Sequence, residues 1–315
     1  MQERTVVLLE EGISPAIVEM VEAKIPTGWK LVKTPAAAEI IITANTDVSE
    51  AVISKAGEKL GLIIKLVPGS AAIADTPVRV VEVGEPALFG VAEHVVALIL
   101  ALSRQLLYVA RRTRAQEWEA GKETPILTEA RKYTFNWIGM EDFGMIYGKT
   151  VGIIGFGYIG REVAKRLKPF GVRIVYYDLV QADPQMEEEL GAEFLPMDDL
   201  LRESDFISLH VKFTGDNDKM LGRHEFELMK STACFINTSR GRMVDEEALA
   251  EAITSKQIGG AGLDVFYYEP VHPDNPLLKV AGDNVILTPH VAGTPNAQAQ
   301  AVVANDVVNL ISKFA

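Results

Sequence analysis

One segment limits the fold more than any other. Thr150-Val151-Gly152-Ile153-Ile154 runs directly into Gly155-Phe156-Gly157-Tyr158-Ile159-Gly160, and residues 161–168 continue with helical spacing. Strand, glycine turn and helix thus follow one another without a break. Each glycine has a steric reason: Gly155 for a tight turn, Gly157 for close approach of backbone to a pyrophosphate, Gly160 for close packing of helix on strand. The free N–H groups of the helix start favour an anion there. The next strand, 172–177, ends in Asp178, 18 residues past Gly160. A carboxylate at that place accepts the ribose hydroxyls of NAD and repels a 2′-phosphate, so NAD is the expected cofactor and NADP the less favoured one.

The rest of the chain repeats the same alternation. Strands are predicted at 6–9, 40–43, 63–66, 79–83, 150–154, 172–177, 206–210, 233–237, 261–265 and 285–287. Helical patterns lie between many of them, such as 14–23, where Ser14 is the expected N-cap and Pro15 the first helical residue. This is the pattern of βαβ units and parallel sheet. Two series occur, one before about residue 100 and one from 150 to 290. Residues 91–112 read as one long helix with a basic end, 113–149 as an aperiodic connector, and 297–314 as a closing helix.

A chain of 315 residues suits two domains, and 48% apolar against 23% charged residues makes it globular. Its formal charge of −12 disfavours nucleic acid and anionic lipid as partners. The longest apolar run, 95–102, is too short to cross a membrane, and the first residues lack a secretory pattern. The single cysteine, Cys234, excludes an internal disulfide framework and fits the cytoplasm. None of the five histidines stands at metal-ligand spacing from another, so no metal is expected.

Three strand ends carry polar residues: Asn237-Thr238-Ser239-Arg240-Gly241, Asp264 through Glu269-Pro270, and Thr288-Pro289-His290. Ligands in open α/β sheets bind at the carboxyl ends of strands, so Arg240, Asp264, Glu269 and His290 are candidates for one site. Hydride transfer to a 2-oxo acid needs a guanidinium fork for carboxylate and carbonyl, a proton donor, and a carboxylate that orients the donor. Arg240, His290 and Glu269 supply those types. Singly, each has a plain alternative: a strand-capping arginine, a solvated loop acid, a hydrogen-bonded loop histidine. Of the other histidines, His94 reads as a packing or interface residue of the long helix. His210 ends a strand and is a candidate for the cofactor site.

Together with Val91-Ala92-Glu93-His94 and Gly262-Leu263-Asp264-Val265, these motifs resemble the D-isomer-specific 2-hydroxyacid dehydrogenases, relatives of phosphoglycerate dehydrogenase and glyoxylate/hydroxypyruvate reductase. The resemblance covers almost the whole chain. It implies an α/β fold of two Rossmann-like domains, parallel sheets flanked by helices, with the active site in a cleft between them. The outer, substrate-binding domain would be discontinuous, 1–100 plus 291–315, and the NAD-binding domain would span 101–290, connector included. The resemblance implies that Arg240 holds the substrate, that His290 is the general acid/base with Glu269 as its partner, and that Asp264 contacts the nicotinamide carboxamide. Tyr158, Ile159, His210, Val211, Thr238 and Gly293 would line the cofactor. The implied reaction interconverts a small 2-oxo acid and its D-2-hydroxy acid, in a homodimer.

The chain also departs from its relatives. The loop whose N–H groups take the substrate carboxylate corresponds to Pro68-Gly69-Ser70-Ala71-Ala72, with one glycine, which makes Ser70, Ala71 and Ala72 the substrate candidates. The helix after it shrinks to 73–76, and Lys212-Phe213-Thr214 replaces a more usual proline-leucine-threonine run. Which 2-hydroxy acid is used is not legible in that wall. Two alternatives stay open: a dinucleotide-sensing, corepressor-like interaction protein, and a phosphite-type dehydrogenase. Glu269, where formate enzymes carry Gln, disfavours formate.

Overall fold

The structure is a computed structural model that describes residues 4–9, 13–67, 71–83, 86–129, 131, 133–140, 144–280, 282, 284–294 and 297–314. The chain starts β1 (Arg4–Leu9), α1 (Pro15–Lys24), β2 (Trp29–Val32), β3 (Ile40–Thr43), α2 (Glu50–Ala56), β4 (Leu62–Lys65) and β5 (Arg79–Glu82). Helices α3 (Pro86–Ser103) and α4 (Leu106–Ala115) and the connector follow. Next come β6 (Thr150–Ile154), α5 (Tyr158–Leu167), β7 (Arg173–Tyr177), α6 (Pro184–Leu190), β8 (Ala192–Phe194), α7 (Met197–Glu203) and β9 (Phe206–Leu209). The chain ends with α8 (Arg223–Leu228), β10 (Cys234–Asn237), α9 (Glu246–Thr254), β11 (Gly260–Leu263), α10 (Pro276–Val280), β12 (Val285–Leu287) and α11 (Ala297–Phe314).

Two compact units result, Met1–Gly90 with Gly293–Ala315, and Val91–Ala292. The division falls at Val91 and Gly293, where the sequence suggested boundaries after 100 and before 291.

The first unit holds a parallel sheet in the order β2-β1-β3-β4-β5. β3 and β4 are buried along their whole length, as central parallel strands must be. One face packs Val6, Ile40, Ile42 and Ile64 against Ile17 and Val21 of α1 and Val303, Val307 and Ile311 of α11. The other packs Val7, Ile41 and Ile63 against Ala56. The side-chain period of two sorts consecutive isoleucines to opposite faces. Ser14 caps α1 by position but makes no side-chain cap bond; Gln300 Nε2 donates to its Oγ at 3.1 Å instead.

The second unit holds a parallel sheet ordered β12-β11-β10-β9-β6-β7-β8. Strand order reverses between β6 and β9, the switch point at which ligands enter sheets of this kind. Its two faces have separate cores, one around Ile154, Val175 and Ile207, the other around Val151, Ile153 and Tyr176.

Two expectations are corrected. The long helix is broken into α3 and α4, which meet at a bend of 58°. Gln105 takes a left-handed φ of +47°, which ends a helix, and Gly144 of the connector packs so close to Ser103 that an added Cβ would lie 2.7 Å from its carbonyl oxygen. β2 and β8 are additional short edge strands. Among the described residues no single helix is long and apolar enough to cross a membrane.

Candidate active site

Local sterics build the dinucleotide turn. Gly155 has φ +93°, and a Cβ there would lie 2.7 Å from the carbonyl carbon of His210, so the β6 and β9 ends meet only over glycine. Its N–H donates to Tyr177 O at 2.8 Å. Gly157 caps α5 without a side-chain cap bond, and nothing lies within 4 Å of where its Cβ would be. That leaves room for a ligand beside Gly157 at the helix start, where the dipole favours an anion. Tyr158 and Ile159 form the partly buried first turn of α5.

Asp178 ends β7 with both carboxylate oxygens aimed at backbone: Oδ2 accepts from Phe156 N at 2.7 Å and Oδ1 from Leu179 N at 2.7 Å. That ties the acid to the glycine turn. Around the switch point, Val211 O accepts from Ser239 Oγ at 2.6 Å, and His210 Nε2 lies 2.8 Å from Ser208 Oγ. Burial pushes the His210 imidazole down to about 3, so it stays neutral at physiological pH. Thr238 Oγ1 is buried and, among the described residues, has no hydrogen-bond partner. A buried hydroxyl without a protein partner, together with the glycine turn at a helix start and the Asp178 carboxylate, is the polar inventory a dinucleotide site needs. The residues present fit NAD.

The candidate reacting groups stand on the neighbouring strand ends. After β10, Asn237 closes the turn: its Oδ1 accepts from Ser239 N at 2.9 Å and its Nδ2 donates to Arg240 O at 3.0 Å. Arg240 projects into solvent from extended backbone, and its Nη1 donates to Ser239 O at 2.6 Å. The next residue must be glycine, because a Cβ on Gly241 would sit 1.9 Å from the carbonyl carbon of Phe266. That contact brings the β10 and β11 loops together, and Arg240 and Glu269 line one cavity of about 170 Å³ with Phe213 and Tyr267.

Glu269 divides its oxygens. Oε1 accepts from Phe266 N at 3.0 Å, and Oε2 lies 2.6 Å from His290 Nδ1. A carboxylate only accepts, so Nδ1 carries the proton and Nε2 is the nitrogen left for chemistry. His290 is 45% exposed and Glu269 36%, so the pair is open to a substrate. His290 has φ +53°, a left-handed backbone that costs a residue other than glycine about 1 kcal/mol. The strand ends hold it there: Thr288 N donates to Leu263 O and His290 N to Asp264 O, both at 2.8 Å.

Asp264 is fully buried, and its carboxylate accepts from Thr288 Oγ1 at 2.6 Å, Val291 N at 2.9 Å and Ala292 N at 2.8 Å. In this structure it therefore serves the loop that carries His290. Gly293 follows that loop, where the chain returns to the first unit.

The substrate-loop candidates fare differently. Ser70 lies outside the described residues. Ala71 is buried. Ala72 is exposed; its N–H donates to Asp47 Oδ1 at 2.7 Å and its carbonyl accepts from Val48 N at 2.9 Å.

Sequence reasoning missed Asn237 as a turn-closer, Asp47 as a loop partner and Glu246, whose Oε1 accepts from Tyr267 N at 2.9 Å and braces the Glu269 loop. Only the position of Glu246 at the start of a helix hinted at such a part. A larger cavity of about 950 Å³, lined by Lys149, Asp205 and Cys234 among others, opens at the opposite, amino ends of the strands and holds none of the reacting residues. Burial pushes the Cys234 thiol up to about 12, which leaves it unreactive.

Comparison with known proteins agrees with this arrangement. Residues 96–292 match the family model of the D-isomer specific 2-hydroxyacid dehydrogenase NAD binding domain. A glyoxylate reductase of Korarchaeum cryptofilum is 40% identical over 222 residues, 70% of this chain and 61% of that protein. A D-3-phosphoglycerate dehydrogenase of Archaeoglobus fulgidus is 34% identical, covering 96% of this chain and 57% of the other. The chain thus spans about three fifths of the length of the curated relatives it matches. Among solved structures, a Pyrococcus horikoshii protein has a TM-score of 0.67 at 27% identity over 99% of this chain and 92% of its own. A D-lactate dehydrogenase of Aquifex aeolicus, complexed with NAD and lactic acid, has a TM-score of 0.61 over 99% of this chain and 95% of its own, and at 24% identity supports the fold. The strand ends, the glycine turn and these likenesses agree: the chain belongs to the D-isomer specific 2-hydroxyacid dehydrogenase family and carries its NAD-binding domain.

Proposed function

We propose that this protein is an NAD-dependent dehydrogenase that interconverts a small 2-oxo acid and its D-2-hydroxy acid. One observation carries the reading: His290 Nδ1 is held 2.6 Å from Glu269 Oε2 while Glu269 shares a cavity with Arg240. The coenzyme, when bound, supplies or accepts a hydride. Arg240 holds the carboxylate and carbonyl oxygens of the substrate with its planar fork and polarises the carbonyl. His290 Nε2 gives a proton to the carbonyl oxygen in reduction and takes it back in oxidation. Glu269 fixes the ring and stabilises the imidazolium of the proton-loaded state.

The glycine turn, Asp178 and Thr238 hold the coenzyme in this reading, with His210, Val211 and Gly293 beside it. Ser70, Ala71 and Ala72 are the proposed substrate residues. Glyoxylate is the first substrate to try, since several relatives at about 40% identity carry the name glyoxylate reductase. We further propose a homodimer acting in the cytoplasm. Leu106 and Leu107 of α4 and Leu127, Phe135 and Tyr147 of the connector are exposed apolar residues that suit a second copy.

The test is NADH oxidation against glyoxylate, hydroxypyruvate, pyruvate and larger 2-oxo acids, with the chirality of the product determined. Turnover to a D-product is expected. NADH-dependent assembly without turnover of any 2-oxo acid would overturn the enzyme in favour of a sensor. Sedimentation velocity checks the dimer.

A further inference from the structure

The contacts of His94 are with Thr288 and Asp264 rather than with any of the three proposed reacting groups, yet they tie it to the loop that carries one of them. Helix α3 approaches β11 closely because Gly262 offers no side chain: a Cβ there would lie 3.2 Å from Leu98 Cβ. His94 precedes Leu98 by one helical turn and shares its face. Packing Leu98 on Gly262 therefore brings His94 to the end of β11, where its Nε2 lies 3.0 Å from Thr288 Oγ1 and 3.7 Å from Asp264 Oδ1.

The direction of each bond follows from what each atom can do. The Asp264 carboxylate accepts from two backbone N–H groups and from Thr288. Thr288 has one hydroxyl proton and donates it to Asp264, so its oxygen is left to accept. His94 Nε2 is then the donor. The chain of bonds runs from His94 Nε2–H to Thr288 Oγ1 to Asp264 Oδ1, with Val291 N and Ala292 N meeting the same carboxylate from the far side.

We infer that His94 is a positioning residue: by donating to Thr288 it fixes segment 288–292 on Asp264 and so holds His290 in its left-handed backbone, facing Glu269. This rests on the function proposed above for its effect on turnover, though not for its effect on the loop. Without His94 the half-buried Thr288 hydroxyl loses its donor and is free to turn away from Asp264, for instance toward Leu263 O, 3.4 Å away. The strained residue at 290 then loses part of its restraint. Small displacements of a proton donor lower the rate of its step far more than they lower binding.

The experiment compares His94→Leu, His94→Gln, Thr288→Val and the double variant His94→Leu/Thr288→Val in the full chain. Gln places an amide N–H near the position of Nε2 and should rescue. Two readouts are taken: steady-state kinetics with glyoxylate, and amide hydrogen exchange in peptides covering 287–292. His94→Leu is expected to lower kcat about tenfold with little change in the KM for NADH. It should also speed exchange in 287–292 about fivefold and leave 234–240 unchanged. His94→Gln should stay within about twofold of wild type in both, and the double variant should be no worse than His94→Leu alone. Unchanged exchange in His94→Leu, equal losses in the Gln and Leu variants, or additive losses in the double variant would each overturn the inference. Exchange is read without turnover, so a wild-type protein that reduces no 2-oxo acid sinks the proposed function while the loop data still decide the part played by His94.

Discussion

The carboxyl edges of the two sheets differ in how they use their polar groups. In the first unit the edge satisfies itself. Thr43 Oγ1 donates to Thr46 O at 2.6 Å, Asp47 takes the Ala72 N–H, and the buried Lys65 pairs with Glu82 at 2.8 Å. In the second unit the edge hands its polar groups outward. Asn237, Asp264 and Glu246 consume the local backbone donors and acceptors, and by doing so leave Arg240, Glu269 and His290 exposed, each with a fixed orientation. An inward-tied edge makes a wall; an edge braced from behind makes a site. The difference puts the candidate reacting side chains, with their braced orientations, in the second unit.

The contrast can be broken most directly at its centre. His290→Gln should lower kcat about a thousandfold while the NADH dissociation constant, followed by nucleotide fluorescence, stays within about twofold. Wild-type turnover in that variant would end the assignment. Arg240→Ala is expected to lower kcat/KM for glyoxylate about a hundredfold, chiefly through a higher KM. Arg240→Lys should recover little, because an ammonium is not a planar fork. Glu269→Gln, which keeps a hydrogen bond but not the charge, should cost about tenfold in kcat.

Asp47→Ala sharpens the comparison from the other side. If the first edge is only a wall, freeing the Ala72 N–H should shift the KM for 2-oxo acids by no more than about threefold and leave kcat untouched. A large kcat effect would show that the first edge takes part.

The smallest effect concerns stability. His210 is neutral in the fold with its pKa pushed down to about 3, against 6.5 as the ordinary value. The unfolded chain therefore binds a proton that the folded one refuses. Its contribution is intact above about pH 6.5 and is lost progressively as pH falls from there toward 3. The urea midpoint of His210→Gln should accordingly fall less between pH 7 and pH 5 than that of wild type.

Parts of this site were legible in the sequence because local sterics write them there. The glycine turn needs Gly155 at positive φ and Gly160 under a carbonyl, whatever the rest of the chain does. β3, β6 and β12 stand where the β-branched runs put them. β2 and β8 escaped notice because three- and four-residue edge strands carry too little apolar pattern, and their existence depends on a neighbour to pair with. The break at Gln105 escaped for a similar reason: the helical pattern runs through it, and the connector glycine that packs against Ser103 lies some 40 residues away. Nothing local to Ala72 reveals that Asp47, 25 residues earlier, takes its N–H.

The amino-acid order alone determined the βαβ alternation, the phosphate-type turn, the acid that follows β7 and the three candidate reacting side chains. Backbone conformation and side-chain chemistry are properties of a few consecutive residues, so they can be read in sequence. Only the tertiary structure decided that Asp264 faces inward to hold a loop, that His94 reaches that loop across Gly262, and that Glu269 meets His290 through Nδ1. Those are facts about hydrogen-bond directions between strands far apart in the chain, and a hydrogen bond has no direction until both of its partners have been brought to the same place.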